Sequence, residues 1–150
     1  MSPTIATNTW APVSLNTVAV VPLPTTPPGS RTAIMNAWSG GAYDMLGRRL
    51  LIFGGGHLDY GGNEVMAYDV ASGVWSLFVP PSTTIPAPTS PAPVVYPDGK
   101  PAARHTYSGL AFVPWLTPQG SLFMWGGAPW GTTGTARSEE HTSELQSRHN

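Results

Sequence analysis

The sequence predicts an all-β chain of short antiparallel strands, and three observations lead there. Glycine and proline each occur 17 times in 150 residues, and both break helices. The apolar residues fall in runs of about four that close on glycine, too short for a helix and right for a buried strand. Polar, turn-forming segments separate these runs along most of the chain.

Composition also excludes function classes. Charged residues are 10% of the chain and the formal net charge is -1, which gives no electrostatic basis for a nucleic-acid or anionic-membrane partner. With no cysteine, disulfides, thiolate metal sites and a cysteine nucleophile are excluded. No apolar run approaches the roughly 20 residues that span a bilayer. Met1 to Trp10 lacks the basic and apolar regions of a secretory signal. The compartment stays open.

Taken in order, residues 1–30 read as an N-terminal arm, with Thr9-Trp10-Ala-Pro-Val-Ser-Leu15 as a candidate strand. Residues 31–79 hold the first repeat unit. In it, Ser39 to Asp44, Leu50-Leu-Ile-Phe-Gly-Gly55, Glu64-Val-Met-Ala-Tyr-Asp69 and Val74-Trp-Ser-Leu-Phe78 read as four strands joined by short loops, an antiparallel meander. Residues 80–99 are an insertion. Its Pro80–Pro93 stretch has six prolines and five serines or threonines, a composition of extended, solvated loops. Residues 100–136 begin a second unit, with His105 to Val113 and then Leu122-Phe-Met-Trp-Gly-Gly127.

Residues 137–150 differ from the rest in charge and lack glycine and proline. The bland reading is a polar, solvated tail. The sharper one is that Arg137-Ser-Glu-Glu-His-Thr-Ser-Glu-Leu-Gln-Ser147 resembles, residue by residue, the translation of a common short-read sequencing adapter. On that reading the tail is an artefact to be left out of the fold, and the natural protein is expected to continue beyond Ala136.

The repeated unit resembles the kelch repeat: a buried strand ending in Gly-Gly, a loop, a strand ending in Tyr-Asp, a turn, then tryptophan. The positions that carry the resemblance are Phe53, Gly54, Gly55, Asn63, Tyr68, Asp69 and Trp75 in the first copy, and Arg104, His105, Trp125, Gly126 and Gly127 in the second. The first copy has Asn36-Ala-Trp38 where the family has Arg and His. The interval between the double glycines exceeds the roughly 50 residues of a kelch repeat, and the insertion accounts for the excess. The resemblance implies an incomplete kelch-type β-propeller of about one and a half blades, with the arm as a possible ring-closing strand. A lone blade leaves both faces wet. Leu51, Phe53, Met66, Tyr68, Trp75 and Leu77 are therefore expected to lack cover, at roughly 1.5–3 kcal/mol for each large side chain left exposed, and the chain is expected to aggregate or partly unfold.

The candidate ligand-contact loop is Gly54 to Glu64, with His57, Asp59, Tyr60, Asn63 and Glu64. One imidazole and two carboxylates could serve a divalent ion, but no second histidine lies near in sequence, so no metal or cofactor is assigned. The plainer expectation is that Asp59 and Asn63 bond the loop's own backbone. Arg104 is expected to pair with a neighbouring carboxylate and His105 to take a backbone partner. Asp44 and Asp69, at strand ends, are expected to accept backbone N–H groups. The aromatics can line a carbohydrate surface, although Trp75 and Trp125 read as core. No catalytic constellation is seen. The resemblance implies a non-enzymatic scaffold binding a protein or glycan. The alternative is a galactose-oxidase-like or other carbohydrate-active enzyme with its catalytic residues in later blades. That oxidase's tyrosine–cysteine cross-link cannot form in a chain without cysteine.

Overall fold

The computed structural model describes residues 12–131; Thr9, Trp10 and the adapter-like tail lie outside them. The chain is mostly β. Strands β1 (Gly40–Asp44), β2 (Arg49–Phe53), β3 (Val65–Asp69) and β4 (Val74–Val79) form one four-stranded antiparallel sheet in chain order, the expected meander. Asp44 pairs with Arg49 at the first corner and Asp69 with Val74 at the third.

The corners follow from their residues. The Asp44 carboxylate accepts the N–H groups of Leu46 at 3.0 Å and Gly47 at 2.9 Å, and Arg49 Nε donates to it at 2.7 Å. Burial alone would raise this carboxyl, but the Gly47 and Leu46 N–H bonds and the Arg49 charge outweigh burial and hold it below the usual range. Asp69 accepts the Ser72 N–H at 2.6 Å. Gly73, at φ 71°, then turns the chain where a side chain would strain.

Side chains alternate across the sheet. Leu51, Phe53, Val65, Ala67 and Ala42 face Leu110, with Phe112, Leu122 and Met124 around it. Ile52 and Met66 point the other way, against Val18, Val21, Ala33, Ile34 and Tyr60. The run Leu51-Ile-Phe53 is thus buried on both faces, as its unbroken apolar character predicts.

That cover corrects one expectation. Leu51, Phe53 and Met66 are buried, because the arm and the single helical turn α1 (Ala33–Asn36) lie across one face and the second unit across the other. Tyr68, Trp75 and Leu77 are half-buried. The arm is tied down at Leu15 and Asn16. Leu15 N–H donates to Gly73 O at 2.7 Å, and the Asn16 side chain brackets the Trp75 backbone, donating to its C=O at 2.9 Å and accepting its N–H at 2.7 Å.

The second unit comprises β5 (Arg104–His105), β6 (Leu110–Val113), β7 (Ser121–Met124) and β8 (Ala128–Pro129). β6 pairs with β7 and β5 with β8, both antiparallel. Thr106 joins the units: its hydroxyl accepts the Gly40 N–H and donates to Phe53 O at 3.0 Å. Apolar side chains at this end stay exposed, among them Trp115, Leu116 and Phe123.

The insertion is not a plain solvated loop. Pro81, Ser82 and Tyr96 are buried, and Tyr96, Ala102, Ala103 and Trp130 form a third small core with Ile85 packed on it. Tyr96 donates its hydroxyl to Gly61 O at 2.8 Å, and Trp130 Nε1 donates to Pro86 O at 3.0 Å. Prolines supply carbonyl acceptors but no donors, and donors from outside the segment meet two of them, Trp130 Nε1 at Pro86 O and Lys100 Nζ at Pro80 O, both at 3.0 Å.

Candidate functional site

The loop from Gly54 to Glu64 leaves β2 by way of Gly55 and Gly56, at φ 114° and 81°, and continues left-handed through His57 (42°) and Leu58 (67°). Asp59 N–H bonds Gly56 O at 2.9 Å. Positive φ at both central residues is the type I′ pattern, which favours Asn-Gly there. His57 and Leu58 hold it at a cost of roughly 1–2 kcal/mol each. The loop can keep this form because it is pinned on both sides: His57 N–H donates to Pro129 O at 3.0 Å, Ser30 N–H to Asp59 O at 2.8 Å and Gly61 N–H to Pro28 O at 2.8 Å.

This path sets His57 and Asp59 against β5. His105 Nε2 lies 2.8 Å from Asp59 Oδ2, and the His57 and His105 ring centres are 5.7 Å apart. One donor atom from each of His57, Asp59 and His105 lies within 4.8 Å of the other two. His105 is buried whereas Asp59 is 41% exposed, so the group is rooted in the protein and open on one side. Burial lowers the His105 pKa and outweighs the opposite pull of the Asp59 carboxylate, leaving a neutral imidazole that donates its Nε2 proton to Asp59.

Two exposed aromatics frame the group. Trp38 is 65% exposed and Tyr107 40% exposed, with ring centres 5.3 and 6.0 Å from that of His105. Tyr107 N–H donates to Trp38 O at 2.8 Å. Both residues have positive φ, 42° and 48°. Of the five non-glycine residues with positive φ among the described ones, Trp38, His57, Leu58 and Tyr107 are four, all around this one spot. Strain of this kind concentrates where function holds it.

The five loop residues singled out from the sequence divide. His57 and Asp59 reach the open group. Tyr60, Asn63 and Glu64 are buried and bond groups of the protein itself. Asn63 does not bond its own loop: Nδ2 donates to Ser82 Oγ and Pro101 O, both at 2.9 Å, and Oδ1 accepts the Ser82 N–H at 2.7 Å. Tyr60 donates its hydroxyl to Glu64 Oε1 at 2.7 Å, while Glu64 Oε2 has no partner. Arg104 meets carbonyls rather than a carboxylate, Gly126 O at 3.2 Å and Val94 O at 3.0 Å, and His105 takes the carboxylate instead of a backbone group. Gly54 packs on Ser39 and Gly55 on the Tyr60 carbonyl; Gly126 and Gly127 turn the chain at φ 64° and 90°. Tyr68 stacks near Trp75, ring centres 5.1 Å apart.

In the sequence alone, Trp38 and Tyr107 do not stand out for the site, and His105 reads as structural. His105 is distant in sequence from His57, and only the β5–β8 pairing brings it over. Trp38 and Tyr107 carried a signal: Trp38-Ser-Gly40 and Tyr107-Ser-Gly109 are the same aromatic-Ser-Gly tripeptide in the two units.

Glu64 has a pH consequence. Burial raises its pKa, and the Tyr60 bond and the Arg31 charge 3.9 Å away offset this only in part. The native state then binds a proton that the unfolded chain has lost, so this group's stabilisation is complete below the ordinary carboxylate range and disappears as pH rises through the raised value. Glu64→Gln keeps an acceptor for Tyr60 and removes the buried charge. It is expected to melt higher than the parent at neutral pH, with the gain vanishing on acidification. Thermal melts of both proteins across pH check this; a mutant that is less stable at neutral pH contradicts it.

Compared with known proteins, the chain matches no family model, no curated protein and no solved structure. Among the described residues no helix is long and apolar enough to cross a membrane.

Proposed function

We propose that the chain is part of a kelch-type β-propeller, a non-enzymatic scaffold that binds a glycan on the face bearing Trp38 and Tyr107. The four-stranded meander and the β6–β7 hairpin that follows it support this reading of the architecture. The observation that carries the binding reading is the aromatic pair, exposed yet fixed in place by the Tyr107 N–H bond to Trp38 O. Sugar rings stack on such amphipathic faces through their C–H surfaces, and His57 and Asp59 beside them offer hydrogen bonds to hydroxyls. Ordering a loop on binding costs affinity; here the pinned backbone has met that cost during folding.

The test is a glycan panel screened by saturation-transfer NMR against the chain and its Trp38→Ala variant. Trp38 is at the surface, so the variant is expected to fold as the parent does and to lose binding on the order of tenfold or more, one stacking contact being worth roughly 0.5–1.5 kcal/mol beyond its buried area. Binding that is unchanged in the variant, or absent from the whole panel, sinks the reading.

A further inference from the structure

We infer that His57, Asp59 and His105 form a site for a divalent first-row transition ion, zinc being the type case. Two imidazoles and one carboxylate suit zinc and its neighbours, whereas calcium and magnesium take all-oxygen shells. The donors come from two places in the fold, His57 and Asp59 from the turn after β2 and His105 from β5, and they already lie within 4.8 Å of one another. Bonds of about 2.0–2.2 Å to a tetrahedral ion set donor atoms roughly 3.3 Å apart. Closing the remaining distance falls to the two half-exposed side chains, His57 and Asp59, while His105 stays fixed in the core.

Zinc takes the place of the proton between Asp59 Oδ2 and His105 Nε2. That hydrogen moves by tautomer exchange from Nε2 to Nδ1, so the ring stays neutral and no net proton is released. Three protein ligands leave a position open toward solvent, the arrangement of zinc sites that bind water or a ligand rather than of closed structural ones. The ion ties the first unit to the second. The inference stands on the three side chains alone and survives if no sugar stacks on Trp38.

The experiment uses the full chain without a histidine tag, stripped with chelator. Zinc is titrated by calorimetry, and cobalt is followed by its visible d–d absorption. The expected result is one equivalent of zinc bound, a cobalt band and a rise in melting temperature with zinc. His57→Asn, which suits the positive φ, weakens zinc binding by about tenfold or more while melting like the stripped parent; Asp59→Ala weakens it as much but melts lower, because it leaves the buried His105 N–H without its acceptor. His105→Ala removes a buried ring, so the two more exposed variants decide the matter. His141 and His149 lie in the tail, and replacing both with alanine is expected to leave binding intact. No zinc uptake, uptake indifferent to His57→Asn and Asp59→Ala, uptake lost with the tail histidines, or preference for calcium over zinc overturns the site.

Discussion

Asn63→Ala is expected to destabilise the protein by roughly 3–5 kcal/mol. The side chain makes three hydrogen bonds, two as donor to Ser82 Oγ and Pro101 O and one as acceptor from Ser82 N–H. Ser82 is buried, so water cannot take over as partner, and each buried group left unmade costs roughly 1–3 kcal/mol. For a domain of this size that lowers the melting temperature by about 10 °C. Damage should begin locally. Ser82 also donates to Asp98 Oδ1 at 2.9 Å, so losing Asn63 releases both ends of the Pro-rich segment together. Limited proteolysis with an unspecific protease is expected to cut within residues 83–95 before the sheet opens. Asn63→Asp separates the terms: it retains the acceptor for Ser82 N–H but sets oxygen against the Pro101 carbonyl. A melting temperature within a few degrees of the parent for both variants contradicts this account.

Much of the first sheet is legible in the sequence because its signals are local. Leu51, Ile52 and Phe53 are apolar without interruption, which only a strand covered on both faces tolerates. Asp44 and Asp69 stand before turns, and their carboxylates accept N–H groups two and three residues on. The cover was not legible. Nothing announces that Val18 and Val21 of the arm, and Ile34 of the turn after it, close one face, since two valines and one isoleucine are too few to show a period. Composition misled in the insertion, where proline and serine content signals solvation but Tyr96 and Trp130, outside the biased stretch, draw the chain down. The site was half visible. His57 and Asp59 stood out in a glycine-rich loop, yet the residue that turns them into a three-donor group arrives through a two-residue strand pairing far along the chain. Asn63 and Glu64 looked alike from outside as polar loop residues. Burial is what separates them from His57 and Asp59, and burial follows from the tertiary packing.

That pairing depends on one glycine. Gly56→Ala is expected to cost roughly 3 kcal/mol or more and to lower the melting temperature by about 10 °C. A Cβ at Gly56 would strike Ala128 O, Arg104 Cα and His105 N, which are backbone atoms of β5 and β8 with no rotamer to yield. Gly56 also sits at φ 81°, a conformation that disfavours any side chain. The two causes can be separated within the same protein. Gly99 has a similar φ of 79° and nothing within 4 Å of its virtual Cβ, so Gly99→Ala reports the conformational penalty alone, roughly 1–2 kcal/mol. The excess loss in Gly56→Ala measures the close approach of the two units. Because the displaced atoms include the His105 backbone, the same variant should move His105 away from Asp59 and weaken zinc uptake, whereas Gly99→Ala should leave uptake unchanged. If the two alanine variants melt alike, the units are not held in contact at Gly56, and the juxtaposition of His105 with His57 and Asp59 loses its structural basis.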